Sequence, residues 1–138
     1  MESPKKSLVA LASVVLVSAA FVVGCSSSDQ PDYCDKVSTL KDSVSTLTSI
    51  DIEAGTLDTA KSDFETVKSD AEATVDAAKS DFPSETKGLE DSINTASESI
   101  QDLPSSPSAS DIAAVALNVS AVANSAKSFE EATSSACS

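Results

Sequence analysis

The chain has 138 residues, enough for one domain, and carries 22 Asp and Glu against nine Lys, a net charge of −13. It has no Arg, His or Trp. Nucleic acid is thereby excluded as a partner, because phosphate binding needs clustered Lys or Arg. The lack of His removes the usual proton shuttle and the commonest metal ligand, so no catalytic centre, cofactor or metal is expected.

The first 24 residues have the make-up of an export signal. Lys5 and Lys6 form a short basic start, and Leu8 to Val23 follows as a 16-residue apolar run broken only by Ser13 and Ser18. That run is shorter than the ~20 residues a helix needs to cross a bilayer. It ends in Val22-Val23-Gly24-Cys25. This tetrapeptide resembles the lipobox of bacterial lipoproteins, with Val22 where leucine is commonest. The resemblance implies diacylglyceryl transfer to the Cys25 sulfur, cleavage between Gly24 and Cys25, and anchoring on the outer side of the cytoplasmic membrane. The chain then starts at Cys25 with seven Lys against 21 Asp and Glu. Such a surface is repelled by anionic head groups, so the lipid at Cys25 must hold it to the membrane.

There are three cysteines, an odd number for an exported chain. With Cys25 lipidated, Cys34 and Cys137 remain as a pair that can persist as a disulfide outside the cytoplasm. Residues 25–32 read as a small polar tether. Its nine-residue step from Cys25 to Cys34 spans ~30 Å at most, so the domain at 33–138 is expected close to the membrane.

Four helices are expected within that domain. The first covers about 31–49, with Tyr33, Val37, Leu40, Val44 and Leu47 at steps of three and four. The second covers about 56–81, on Leu57, Ala60, Phe64, Val67, Ala71, Val75, Ala78 and Phe82. The third covers about 83–102, on Leu89, Ile93, Ala96, Ile100 and Leu103, and the fourth about 109–136, on Ile112, Val115, Val119, Val122, Ala126, Phe129 and Ala136. No alternation of period two supports a strand. Pro83 suits the first turn of a helix, although the second and third segments could also join as one kinked rod. Ser108 with Asp111 three residues on resembles a capping box.

Short loops between such helices favour an all-α, antiparallel up-down-up-down four-helix bundle. That topology puts Cys34 and Cys137 at one end, where a disulfide would close a loop of ~100 residues. Lys-Ser-Asp recurs at 61–63, 68–70 and 79–81, a surface pattern rather than a repeat domain. Asp51-Ile52-Glu53-Ala54-Gly55 is not a calcium loop: Gly55 supplies no side-chain oxygen at the fifth position, and Ser62 stands where a bidentate Glu is needed.

Residues 112–126 contain no charge. Ile112, Val115, Val119 and Val122 are expected in the core, which leaves Ala114, Leu117 and Ala121 on the opposite side. Such a helix is either central and covered on all sides, the favoured expectation, or presents a partner face or the wall of a small apolar cavity between helices. The make-up is similar to that of small Ser/Thr/Ala-rich actinobacterial lipoproteins with a cysteine pair. The expected function is a membrane-anchored, non-catalytic interaction or scaffold module of the cell envelope with an envelope protein as partner. The alternative is a carrier of a small apolar or lipidic ligand between the helices. Oligomeric state is left open.

Overall fold

The first helix, α1 (Tyr33–Thr48), turns at 49–53 into a single 3₁₀ turn (Ala54–Thr56) that leads directly into α2 (Leu57–Ala78). After a four-residue turn come α3 (Pro83–Gln101) and, past the Pro-Ser loop, α4 (Ala109–Thr133). The computed structural model describes residues 30–138, and no strand occurs among them. The predicted signal (1–24), the Cys25 lipidation site and most of the tether lie outside the described residues. None of the described helices is long and apolar enough to cross a membrane.

The helix ends follow local chemistry. Phe82 precedes a proline and adopts φ −132°, ψ 62°, because the Pro83 ring bars it from the helical region. The second helix therefore stops at Ala78, three residues short of the expected 81, and α2 and α3 are two helices rather than one kinked rod. At the start of α4, the Ser108 hydroxyl accepts from the Asp111 backbone N–H (3.2 Å) while the Asp111 carboxylate accepts from the Ser108 N–H (2.8 Å). This reciprocal box satisfies two orphan donors, as the spacing predicts. Helix α4 ends at Thr133, where the N–H groups of Ala136 and Cys137 both donate to the Thr133 carbonyl at 3.0 Å. The chain thereby turns toward Cys34.

Each helix packs against two others, α1 and α3 lying on both α2 and α4. The pairs run antiparallel. Thr74 near the end of α2 donates to the Lys36 carbonyl near the start of α1 (3.2 Å), and Asn118 of α4 bonds Ser99 near the end of α3. Cys34 and Cys137 form the disulfide, with Cα atoms 5.4 Å apart at a sequence separation of 103. The arrangement is an up-down-up-down four-helix bundle whose first and last helices are joined covalently at one end.

Two apolar clusters fill the interior. The larger includes Leu40, Leu47, Phe64, Val67, Leu89, Ile93, Val119 and Val122. The smaller sits at the disulfide end, with Tyr33, Cys34, Val37, Ala78 and Phe129 buried. There Phe82 stacks edge-on against Tyr33 (5.6 Å between centroids) and Phe129 (6.1 Å). Val75, Phe82, Ile100, Leu103, Ile112 and Ala136, expected in the core, are only half-buried. Each lies within or beside the first or last turns of a helix, where fewer neighbours close over it.

Gly88 sits in the middle of α3, exposed, and a methyl group added there would meet nothing within 4 Å. Gly88→Ala should therefore raise stability by about 0.5–1 kcal/mol, through helix propensity alone. Thermal unfolding followed by circular dichroism checks this, with the melt expected a few degrees higher.

Candidate functional site

Leu117 decides where the charge-free half of α4 lies. Its side chain is 72% exposed, and it is the large hydrophobic residue that stands out on the described surface. Ala114 and Ala121, the other two residues of the expected partner face, are exposed as well. The expectation of a central helix covered on all sides is thus overturned. The physical reason is that each helix of the bundle gives one stripe to the interior. Val115, Val119, Val122, Ala126 and Phe129 complete that stripe for α4. On the far side Ala113, Ala114, Ser120 and Ala121 face outward, where none of the other described helices lies.

The exposed stripe repeats with heptad spacing: Ser110, Ala114, Leu117, Ala121, Asn124 and Ser128, all exposed. Steps of four and three keep these residues on one line along the helix. Asp111 lies at the start of α4, and Lys127, Glu130 and Glu131 lie at its end. Between them the face is neutral and small-surfaced, with Leu117 as its one knob.

Of the grooves between neighbouring helices, two are floored by several core residues. One, of about 410 Å³, separates α1 from α4. Val37, Leu40 and Val44 on one wall look across at Ala123 and Ala126 on the other, because α4 offers only methyl groups there. Lys41, Lys127 and Glu130 stand at its rim, and the Lys41 ammonium bonds the Glu130 carboxylate at 2.8 Å. That hydrogen bond, reinforced by the charge of Glu130, holds Lys41 above the usual lysine range. The other groove, of about 250 Å³, lies between α2 and α3 over Ala71, Val75 and Ile93, with Glu72, Asp76 and Glu90 beside it. Both are open to solvent, and their floors are core residues already largely buried by the bundle.

The 51–56 turn is explained by its own hydrogen bonds. The Thr56 hydroxyl donates to the Asp51 carbonyl (2.6 Å) and accepts from the Glu53 N–H (3.1 Å). No group of three His, Cys, Asp or Glu able to hold a metal ion occurs among the described residues.

The sequence reading missed four buried polar residues, Thr74, Thr86, Ser97 and Thr133. Their signal was positional. Each falls in the three-four register of its helix, between residues such as Ala71 and Ala78 or Phe129 and Ala136. The threonines are tolerated inside because their hydroxyls donate to carbonyls one turn back: Thr74 to Asp70 at 2.7 Å, Thr86 to Phe82 at 2.8 Å, Thr133 to Phe129 at 3.0 Å. Thr74 also reaches across to α1, so it fixes the register of that helix pair.

Asp111 provides a pH handle on α4. The hydrogen bonds it accepts from the Ser108 N–H and hydroxyl hold its carboxyl below the usual carboxylate range. A carboxyl lowered in the folded state adds stability above its unfolded value and loses it as pH falls through the folded one. Asp111→Asn should therefore be less stable than the parent at neutral pH. The gap should close only below the ordinary aspartate range, which urea unfolding at a series of acid pH values will show.

The site thus consists of an exposed neutral stripe on α4, two shallow interhelical grooves and a disulfide at the opposite end of α4. No protein-family model, curated protein or solved structure matches this chain, so what it does has to be argued from these residues and their geometry.

Proposed function

We propose that this chain is a lipid-anchored extracytoplasmic lipoprotein whose helical bundle serves as a non-catalytic interaction module of the cell envelope. The exposed, uncharged stripe around Leu117 carries the second half of this reading. Leu117 stands in an uncharged line with the exposed Ala114 and Ala121, and a helix–helix interface uses such a knob between small residues. The first half rests on the lipobox-like Val22-Val23-Gly24-Cys25 and on the parity of the cysteines: with Cys34 and Cys137 bonded to each other, Cys25 is left over. A free thiol on the outside of a cell invites unwanted pairing, and lipidation removes it.

The carrier reading has one observation in its favour, the apolar-walled α1–α4 groove. Its floor residues Val37, Leu40 and Val44 are each at most 9% exposed, so a ligand would bury little further apolar surface there. The interaction module is therefore preferred.

Mass spectrometry of the protein extracted gently from its own membranes tests both readings. A denatured mass equal to residues 25–138 plus a diacylglyceryl group, less two hydrogens, is the expected result. A mass showing the unprocessed chain refutes the anchor. A small molecule retained in the native spectrum and lost on denaturation would replace the module with the carrier.

A further inference from the structure

We propose that the partner of the α4 stripe is a second copy of this chain, packed side by side with α4 against α4 and with both Cys34–Cys137 ends pointing the same way. The inference rests on the anchored reading above for its orientation and on three observations for the contact itself.

The first is charge. Two molecules of net charge −13 repel each other over almost any pair of faces. The stretch from Ile112 to Ala126 is free of charge, and its outward side is the stripe. Over Ala114, Leu117 and Ala121 two copies can meet without setting carboxylate against carboxylate, Glu85 of α3 bordering the stripe only farther along, beside Asn124 and Ser128. A cationic partner would instead gain more from the carboxylates beside the α2–α3 groove. A membrane is a poor occupant, since the stripe has one Leu, no aromatic residue and no Lys before Lys127.

The second is register. Ala114, Leu117, Ala121 and Asn124 follow the four-three steps of a two-helix seam, with Leu at one inward position and Ala at the next. In a parallel two-fold pair each residue meets its own counterpart. Leu117 packs on Leu117, Ala121 lets the backbones approach, and the two Asn124 amides can hydrogen-bond to each other across the axis. Ser128 comes next on the line, and Glu131 after it would face its own copy. A crossing angle of ~20°, with closest approach near Leu117 and Ala121, separates the helices before they reach it.

The third is where the chain outside the described residues attaches. It joins at the start of α1, beside the disulfide and the end of α4. Two copies anchored in one membrane therefore stand with their α4 helices parallel. The contact is small, one stripe of one helix per copy, and belongs to the weak class of interfaces. Confinement to a shared membrane supplies the effective concentration that the contact area lacks.

Disulfide cross-linking of the full-length chain in its membrane tests this. Leu117→Cys and Ala121→Cys should each oxidise to a covalent dimer roughly tenfold faster than Ser69→Cys, an exposed position on the diagonal helix α2. Adding Leu117→Glu to the Ala121→Cys chain should bring its rate down to that of the control, because two carboxylates would then face each other. Since Leu117 is exposed, that change should leave the thermal melt in place, which separates loss of pairing from loss of fold. Rates equal to the Ser69→Cys control overturn the pairing. Preferential cross-linking of a Leu117→Cys chain to a size-tagged Ala121→Cys chain, over either self-pair, overturns the parallel orientation. The intact mass of the same sample reports the anchor separately. An unlipidated chain that still cross-links through Leu117 refutes the anchor and supports the pairing, whereas a lipidated chain no faster than the control refutes the pairing alone.

Discussion

Replacing Cys34 and Cys137 together with alanine should cost about 3–5 kcal/mol of stability. The bond closes a loop spanning a sequence separation of 103, nearly the whole described domain. In the chain-entropy account, a loop of ~100 residues is worth ~4.7 kcal/mol, because the cross-link denies the unfolded chain most of its extended conformations. The position of the bond adds to the effect. It pins α1 to α4, the pair that no connecting loop holds together and whose facing walls meet across a groove. Without the bond, that closure depends on the α1 and α4 residues of the larger cluster, on the small cluster of Tyr33, Val37, Ala78 and Phe129, and on the exposed Lys41–Glu130 pair. Differential scanning calorimetry of the double variant should show a fall of roughly 15–25 °C in the melting temperature for a domain of this size. A fall of only a few degrees would mean that the unfolded chain is already compact, or that the helices close the ring unaided.

Phe64→Ala should cost about 3–5 kcal/mol. Phe64 is 0% exposed and lies in the larger cluster, among small partners such as Ala60, Val67 and Ala71. Its ring is one of only four Phe side chains in the protein, so no neighbour is large enough to fill the space left behind. The Ala-rich composition also keeps the helices close together and limits their inward collapse. Urea unfolding should show a lower midpoint with an unchanged slope, since the fold and the buried surface otherwise persist. Leu117→Ala is the contrasting control. It removes more atoms than many core substitutions but should change the monomer's stability by less than ~0.5 kcal/mol, because the side chain is exposed. Phe129→Ala, in the other cluster, should add to Phe64→Ala almost independently.

The helical periods, the turns around 51–55 and 103–108, and the capping box at Ser108 were all legible in the sequence; the end of α2 was not, since the apolar register runs on to 81 and leaves a single kinked rod open. Each is set by interactions within a few residues along the chain: apolar steps of three and four, a proline that cannot donate, and a hydroxyl three residues from a carboxylate. The pairing of Cys34 with Cys137 was legible too, because a four-helix up-down-up-down path returns its last helix to the end where the first began.

Other features were decided by packing between helices. The sequence marked 112–126 as apolar on more than one side, yet burial on every side and exposure on one produce the same pattern of letters. Only the placement of α1 and α3 against α4 assigned Val115, Val119 and Val122 to the interior and left Leu117 in solvent. The same holds for Thr74, Thr86 and Thr133. Residue type argues for the surface, and a helix carbonyl one turn back, taking a second hydrogen bond from the hydroxyl, allows the interior. Local chemistry along the chain determines where helices start, stop and turn. Which of their faces water reaches depends on neighbours distant in sequence, and that is where the bonded end and the exposed α4 stripe acquire their places.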